Sequence, residues 1–316
     1  MSLSGSVAGT GDQQTSSLRV LLTGVSGQLG QALLASCPVG VSLVPVSRAE
    51  LDLADARACH ELVCDLRPDW VLNAGAYTAV DRAESEPELA RAVNAGAPAA
   101  FAEALAKGSG RLLQVSTDFV FDGRQGSPYQ PHQAVAPLGV YGASKAEGEQ
   151  AVQAVLGAER ASILRTSWVY GPVGRNFCLT MLRLHRQRAA SGEPLGVVAD
   201  QVGCPTATHT LAAACWALIQ RGLGGTFHWS DCGAASWYDF AVAIGELGLA
   251  TGLLERAAPV RPLTSVDYPT PAQRPSYSLL DSSASRTALG LEPCHWRQAL
   301  TEVLERLKIL GAVQPQ

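Results

Sequence analysis

Tyr141 and Lys145 stand four residues apart in the run Tyr-Gly-Ala-Ser-Lys. On a helix this spacing puts both side chains on one face, about 6 Å apart. A cation beside a tyrosine favours the phenolate and lowers the pKa of the phenol, which makes the hydroxyl a usable proton donor near neutral pH. The same spacing is common in ordinary helices, so its meaning depends on the rest of the chain.

A glycine-rich loop lies far upstream, between a predicted strand and a predicted helix. The apolar run Leu18–Thr23 predicts a buried strand, and residues 31–35 favour a helix. The intervening pattern Gly-x-x-Gly-x-x-Gly lets the backbone approach a pyrophosphate at the helix N-terminus, although a plain strand–helix turn is the alternative. The predicted dinucleotide loop comprises Gly24, Gly27, Gln28, Leu29 and Gly30.

The second predicted strand, Val41–Val46, is followed by Ser47 and Arg48. An acidic residue at this place would bind the adenosine ribose 2′-hydroxyl of NAD. Its absence, with an arginine in its place, favours the 2′-phosphate of NADPH, while NADH and a solvated arginine remain alternatives. Asp52 and Leu53 follow, where a turn over the adenine is expected, and Asp52 is equally suited to cap a helix.

Predicted helices and strands then alternate. The helices cover residues 56–66, 87–107 and 141–156, and the strands cover 69–74, 111–116 and 161–166. Such alternation predicts an α/β fold with a doubly wound parallel sheet of the Rossmann type, which binds ligands at the carboxyl ends of its strands. We divide the chain into a disordered tail (1–17), a dinucleotide-binding domain (18–170, with 195–230 contributing) and a smaller C-terminal substrate-binding lobe (171–194 and 231–316).

Composition narrows the classes of function. The chain of 316 residues has a net charge of -4, so no basic field predicts a nucleic-acid or membrane partner. No apolar run approaches the roughly 18–20 residues of a membrane span, and the Ser/Gly-rich start lacks a secretory signal. The eight scattered cysteines form no Cys-x-x-Cys motif. We therefore expect reduced thiols and a cytoplasmic protein.

Several longer motifs make the interpretation more specific. They occupy residues 27–30, 76–84, 116–123, 141–145, 165–170, 200–206 and 268–275. Together they resemble the dTDP-4-dehydrorhamnose reductase family, which belongs to the extended short-chain dehydrogenases. The resemblance covers essentially everything after the tail.

The resemblance implies an NADPH-dependent reduction of the 4-keto group of a dTDP-linked 6-deoxyhexose, the last step of dTDP-L-rhamnose synthesis. It makes Tyr141 the proton donor, Lys145 the group that holds the nicotinamide ribose, and Thr117 the hydroxyl that binds the carbonyl and orients the phenol. It also implies that Asp118 contacts a sugar hydroxyl and that Trp168 packs against the sugar.

The family's cofactor segment after the third predicted strand is matched by small residues and a tyrosine, namely Ala74, Gly75, Ala76 and Tyr77. Arg274 is our candidate for the substrate diphosphate, because guanidinium groups match phosphate geometry. Some relatives bind Mg²⁺ between subunits through a glutamate just after the glycine loop. Ala32 occupies that position here, so the resemblance does not support a metal site, and both a monomer and a homodimer fit the chain.

Two other functions remain open. One is a nucleotide-sugar epimerase or dehydratase on the same scaffold. Dehydratases usually carry Asp-Glu after the threonine, where this chain has Asp118 and Phe119, and epimerases commonly keep the acidic ribose ligand. The other is a non-catalytic regulatory subunit of the methionine adenosyltransferase β type, which the intact set of Thr117, Tyr141 and Lys145 disfavours without excluding it.

Overall fold

The computed structural model describes residues 17–311, so the predicted tail lies outside the described residues except for Ser17. The strands are β1 (Leu18–Thr23), β2 (Val41–Val46), β3 (Trp70–Asn73), β4 (Arg111–Thr117), β5 (Ala161–Thr166), β6 (Val169–Tyr170), β7 (Leu195–Val198), β8 (Val202–Gly203), β9 (Thr206–Ala207), β10 (Gly225–Trp229), β11 (Ala235–Ser236) and β12 (Val260–Leu263). The helices are α1 (Gln28–Ala35), α2 (Ala56–Leu66), α3 (Val80–Ala83), α4 (Pro87–Arg91), α5 (Ala97–Ala106), α6 (Val140–Arg160), α7 (Phe177–Ser191), α8 (Thr208–Arg221), α9 (Trp237–Ala250), α10 (Ser283–Leu289) and α11 (Trp296–Ile309).

The main sheet has six strands in the order β10-β5-β4-β3-β1-β2, and all of its pairs are parallel. Strand β1, which lies between β3 and β2, is apolar and buried over Val20, Leu21 and Leu22, because helices cover both faces of the sheet. The α/β, doubly wound fold predicted from the alternating pattern is confirmed.

Two apolar layers sandwich this sheet. Leu33 of α1 and Trp216 of α8 pack on one face, while Val63 of α2, Phe101 of α5 and Val152 of α6 pack on the other. Since β2 and β3 lie on opposite sides of β1, the chain reverses direction across the sheet at this strand. A parallel sheet opens a crevice at such a point, at the carboxyl ends of its strands.

The predicted helix 87–107 is interrupted in the structure. A wide π turn over Ala92–Gly96 separates α4 from α5. In a continuous α-helix the ring of Pro98 would clash with the carbonyl of Asn94. The wider turn relieves this clash, and the Asn94 carbonyl packs instead against Gly148 of α6.

The smaller lobe is built around α7, α9 and α11, with Phe240 and Leu300 in its core. Strand β7 pairs with β12, and its Leu195 and Val197 belong to this core. Within residues 195–230, which we expected to contribute to the dinucleotide half, β7 packs in the lobe. Only α8 and β10 from that range complete the large sheet, because β7 buries its apolar side chains in the lobe.

Candidate active site

A cleft of about 620 Å³ opens where the parallel strands end. Its lining includes the last residues of β1, β2 and β5, which are Thr23, Val46 and Thr166, and Ser116 near the end of β4. Every residue predicted to bind the cofactor also lines it, namely Gly24, Gly27, Gln28, Leu29, Gly30, Ser47, Arg48, Asp52, Leu53, Ala74, Gly75, Ala76, Tyr77, Tyr141 and Lys145.

The glycine loop leaves no room for side chains on its inner face. Gly24 has φ +72°, and a Cβ there would lie 2.6 Å from the backbone nitrogen of Gly75. Helix α1 begins after Gly27 with no side-chain cap, so its first N–H groups are available to an anion at the cleft. The loop, the helix start and the arginine at position 48 fit the phosphates of a nicotinamide dinucleotide.

The segment after β2 folds back on itself at the edge of the cleft. The Ser47 amide donates to the Glu50 carboxylate at 2.7 Å, and Asp52 accepts from the amide of Ala54 at 3.0 Å. Asp55, rather than Asp52, caps helix α2. Asp52 therefore shapes the turn, and the helix-cap alternative considered for it is wrong.

Tyr141 and Lys145 lie in the first two turns of α6 and face the same cleft. The Lys145 ammonium donates to the carbonyl of Val115 at 2.6 Å. The Tyr141 ring meets the edge of Phe119, with ring centroids 5.6 Å apart and planes at 72°. These contacts fix both side chains at the wall of the cleft.

Burial dominates the titration of this pair. It raises the pKa of Tyr141 to about 12, the nearby Thr117 hydroxyl opposes the increase, and the charge of Asp118 adds to it. Burial also lowers the pKa of Lys145 to about 8, against the influence of Glu149. The expected lowering of the phenol's pKa by Lys145 is not found in this structure, because burial raises that pKa and Lys145 is not among the groups that lower it.

A buried asparagine connects the wall of the cleft to helix α6. The Tyr77 amide donates to Asn94 Oδ1 at 2.9 Å, and Asn94 Nδ2 donates to the Ser144 hydroxyl at 3.0 Å. Asn94 is placed to do this because it lies in the π turn between α4 and α5. The backbone after β3 is thereby held against the turn of α6 that carries the two reactive side chains.

Glu149 is a buried carboxylate that the sequence analysis did not single out. It forms an ion pair with Arg165 at 2.6 Å and accepts a hydrogen bond from the Ser116 hydroxyl. It lies one helical turn beyond Lys145, so the spacing Lys-x-x-x-Glu was the available signal. The pair anchors α6 to strands β4 and β5.

A chain of buried side-chain hydrogen bonds crosses the strands beneath the cleft. Thr23 donates to Asn73 at 2.6 Å, Asn73 donates to Gln114 at 2.7 Å, and Gln114 donates to the Val115 carbonyl at 2.9 Å. The last acceptor is also the carbonyl that binds Lys145. The glycine loop and the lysine are therefore joined through the sheet.

A second, much smaller cavity of about 10 Å³ lies beside Phe119. Its walls include Trp168, Gln201, Trp237, Arg274 and Ser278. Trp168 has φ +47°, a conformation that a bulky side chain rarely adopts, and such strain concentrates at binding sites. Its ring stacks on Trp237 with centroids 3.6 Å apart, a partner that sequence reasoning missed because Trp237 begins a helix.

Thr117 and Asp118 lie between the two cavities and line neither of them directly. Thr117 donates to Asp118 Oδ1 at 3.0 Å, whereas the buried Oδ2 has no hydrogen-bond partner within residues 17–311. Burial raises the pKa of Asp118 to about 6, and the nearby Ser278 hydroxyl opposes the increase without completing a hydrogen bond to Oδ2. An unpaired buried acceptor of this kind suits a ligand hydroxyl.

Arg274 pairs with Asp81 at 2.7 Å, across the boundary between the lobe and the helix α3 segment. The Ala272 amide also donates to Asp81, at 3.3 Å. The expected phosphate ligand is thus already held by a carboxylate, and its side chain keeps 24% of its surface exposed beside the second cavity.

Further residues line the large cleft without having been predicted, among them Thr23, Arg82, Glu86, Thr166, Arg175 and Leu211. The Thr166 hydroxyl is buried and has no partner in the described part of the chain. Thr166 could have been predicted to line the cleft, because it ends the predicted strand 161–166. Arg175 lies in the loop between β6 and α7, which has no periodic pattern, so no sequence signal indicated it.

Neither a metal site nor a membrane span is found between Ser17 and Gly311. In this range no three His, Cys, Asp or Glu side chains are grouped so as to share a metal ion. Each helix in the same range is too short or too polar to cross a bilayer.

A parallel Rossmann sheet, a glycine-rich loop and a Tyr-x-x-x-Lys pair on one cleft define a nicotinamide-dependent oxidoreductase of the short-chain dehydrogenase type. The family model described as the RmlD substrate binding domain matches residues 18–309, and the chain belongs to this family.

Relatives and solved structures agree with this assignment. A dTDP-4-dehydrorhamnose reductase of Streptomyces griseus is 42% identical over 291 residues, which is 90% of this chain and 92% of the relative. The crystal structure of a Clostridium acetobutylicum dTDP-4-dehydrorhamnose reductase superposes with a TM-score of 0.84 at 35% identity, covering 92% of this chain and 99% of that one. A Bacillus anthracis dTDP-4-dehydrorhamnose reductase in complex with NADP superposes with a TM-score of 0.82 at 34% identity, over the same shares.

Proposed function

We propose that this protein reduces the 4-keto group of dTDP-4-dehydro-6-deoxy-L-mannose with NADPH and forms dTDP-L-rhamnose, the last step of dTDP-rhamnose synthesis. The main supporting observation is the position of Tyr141. It lines the large cleft with the glycine loop, and its ring touches Phe119, which borders the second cavity. A proton donor at this junction reaches a ketone that lies between cofactor and sugar sites.

The glycine loop, Arg48 and Lys145 are the groups that would hold the cofactor. When bound, NADPH supplies the hydride that the ketone carbon accepts. Arg48 with Ser47 suits a 2′-phosphate, and the NADP complex of the Bacillus anthracis relative supports the same preference. NADPH is therefore the proposed cofactor rather than NADH.

Tyr141 delivers the proton to the 4-keto oxygen. Its raised pKa keeps the phenol protonated at neutral pH, which is the form that a proton donor needs. The Thr117 hydroxyl lies close enough to affect the pKa of the phenol, and in this proposal it orients the phenol toward the carbonyl. Lys145, charged below a pKa of about 8, stabilises negative charge that develops on the phenol oxygen during transfer.

The second cavity would take the dTDP-sugar. Trp168, held parallel to Trp237, offers an aromatic face to the hexose. The free Oδ2 of Asp118 accepts from a sugar hydroxyl, and Arg274 binds the diphosphate with the N–H groups that Asp81 leaves free. Since the cavity is small, the lobe must open or its side chains must move to admit the nucleotide.

The decisive experiment is a turnover assay of the purified chain with NADPH and NADH over a panel of keto-sugar nucleotides, with the products identified. We expect NADPH oxidation with dTDP-4-dehydro-6-deoxy-L-mannose and dTDP-L-rhamnose as the product. A chain that binds NADPH but oxidises it with no member of the panel would favour the regulatory-subunit alternative. A product epimerised without net reduction would favour the epimerase alternative.

A further inference from the structure

We propose that Arg175, in the loop between β6 and α7, binds the pyrophosphate of the nicotinamide cofactor together with the glycine loop. This inference rests on the proposed function and deepens it. The pyrophosphate site at the glycine loop and the start of α1 consists otherwise of backbone groups. Arg175 would add a positively charged side chain to this site, from the loop that leads into the substrate lobe.

The loop is fixed against the start of α1 on both sides of Arg175. Asn176 Nδ2 donates to Gln28 Oε1 at 2.8 Å, and a Cβ on Gly174 would lie 3.0 Å from Gln28 Cγ. Gln28 is the first residue of α1, where the dinucleotide loop ends. Arg175 therefore sits beside the helix start that fits a pyrophosphate, and it lines the same cleft.

Asn176 gives this loop a defined shape. Besides binding Gln28, its Nδ2 donates to the Gly171 carbonyl at 2.9 Å. Its Oδ1 accepts from the Leu179 amide at 2.9 Å and caps α7. One side chain thus ties the loop, the start of α7 and the start of α1 together, so the position of Arg175 relative to the glycine loop is set by the fold.

The electrostatics of the loop favour an anion. Arg175 is exposed, and within residues 17–311 it forms neither an ion pair nor a hydrogen bond. Helix α7 has no acidic residue in its first turn, and neither has α1. A guanidinium without a carboxylate partner, facing a cleft lined by glycines, is suited to two neighbouring phosphate groups.

Other arginines near this loop have different surroundings. Arg188 of α7 pairs with Glu193, and Arg186 donates to the Leu253 carbonyl at 3.0 Å. Arg183 is exposed on α7, about two turns beyond Arg175, and lines neither cavity. Arg183 is therefore a matched control for the loss of one positive charge.

The test is a titration of NADPH and of NADH, followed by nicotinamide fluorescence and calorimetry, into wild type, Arg175→Gln, Arg175→Lys, Arg183→Gln and Arg48→Gln. We expect Arg175→Gln to weaken both dinucleotides by about tenfold to a hundredfold, since both contain the pyrophosphate. Arg175→Lys should recover part of this loss. Arg183→Gln should match wild type, and Arg48→Gln should weaken NADPH alone.

Two results would overturn the inference while leaving the proposed function intact. One is an Arg175→Gln protein that turns over and binds both dinucleotides within twofold of wild type. The other is a loss of NADPH affinity alone, which would place Arg175 on the 2′-phosphate. A wild-type chain that binds neither dinucleotide would overturn both the inference and the proposed function.

Discussion

The cofactor cleft and the second cavity are constructed differently. The cleft takes its walls from the carboxyl ends of neighbouring parallel strands, which the buried hydrogen bonds from Thr23 to Gln114 tie together. The second cavity gathers side chains from segments that are far apart in sequence, such as Trp168, Gln201 and Arg274. The first is part of the sheet, and the second depends on how the lobe docks against it.

The ion pairs of the two regions show the same contrast. Glu149 and Arg165, under the cleft, keep 4% and 6% of their side-chain surface exposed, whereas Asp81 and Arg274 keep 39% and 24%. A fully buried pair is strongly destabilising to break, while a half-exposed pair contributes little to stability. The buried pair therefore holds helix α6 against the sheet, and the exposed pair is free to exchange partners with a ligand.

The sharpest test of this contrast is at the junction of the two regions. Tyr141→Phe should lower turnover about a thousandfold, because it removes the proton donor, while NADPH affinity stays within twofold of wild type. Lys145→Met should impair both quantities, since the lysine belongs to the cofactor side. Steady-state kinetics with a separate NADPH titration measures this. A wild-type rate for Tyr141→Phe at saturating substrate would show that the proton-donor assignment is wrong.

A smaller effect is expected from the exchangeable pair. Arg274→Gln should raise KM for the dTDP-sugar about tenfold, through loss of one charged phosphate contact, with NADPH affinity unchanged. Asp81→Asn should raise KM less, because the arginine is retained but no longer held. Arg256→Gln, an exposed arginine of the same lobe, serves as the control. Equal KM values for Arg274→Gln and Arg256→Gln would show that Arg274 does not bind the substrate diphosphate.

A third prediction concerns the effect of the buried Asp118 carboxylate on the stability of the folded protein. Its pKa of about 6 in the folded protein exceeds the ordinary value of 3.8, so its stabilising contribution is complete below pH 3.8 and is lost as pH rises through 6. The free energy of unfolding of Asp118→Asn, relative to that of wild type, should therefore increase by about 1 kcal/mol from pH 5 to pH 8. Urea unfolding at both pH values measures the difference. If the difference in unfolding free energy between the two proteins does not change with pH, ionisation of the Asp118 carboxyl does not destabilise the folded state.

The smallest expected effect concerns Lys145 and the cofactor side. With its pKa lowered to about 8 by burial, the ammonium is charged at pH 7 and mostly neutral at pH 9. NADPH affinity should fall about threefold to fivefold over this interval, and the corresponding titration of Lys145→Met should be flat. An identical pH dependence in both proteins would assign the titration to another group.

The cofactor half of the protein could be predicted from the sequence. The alternation of strands and helices fixes a parallel sheet, and such a sheet brings residues at strand ends to one edge, so the glycine loop, Ala74–Tyr77 and Tyr141 could be assigned to one site before any coordinates. Each of these signals is local, because it depends on residues that are close together in the chain. The break in the helix before α5 and the pairing of β7 with β12 were missed, since both depend on packing against distant partners.

The pKa values of the site and the composition of the second cavity could not be predicted from the sequence, because both depend on tertiary packing. The spacing of Tyr141 and Lys145 predicts attraction, but burial, which no local pattern encodes, moves the pKa of the phenol the other way. The stacking of Trp168 on Trp237 and the pairing of Arg274 with Asp81 join residues from separate elements. Contacts of this kind depend on how the lobe meets the sheet, and the chain has to fold before they exist.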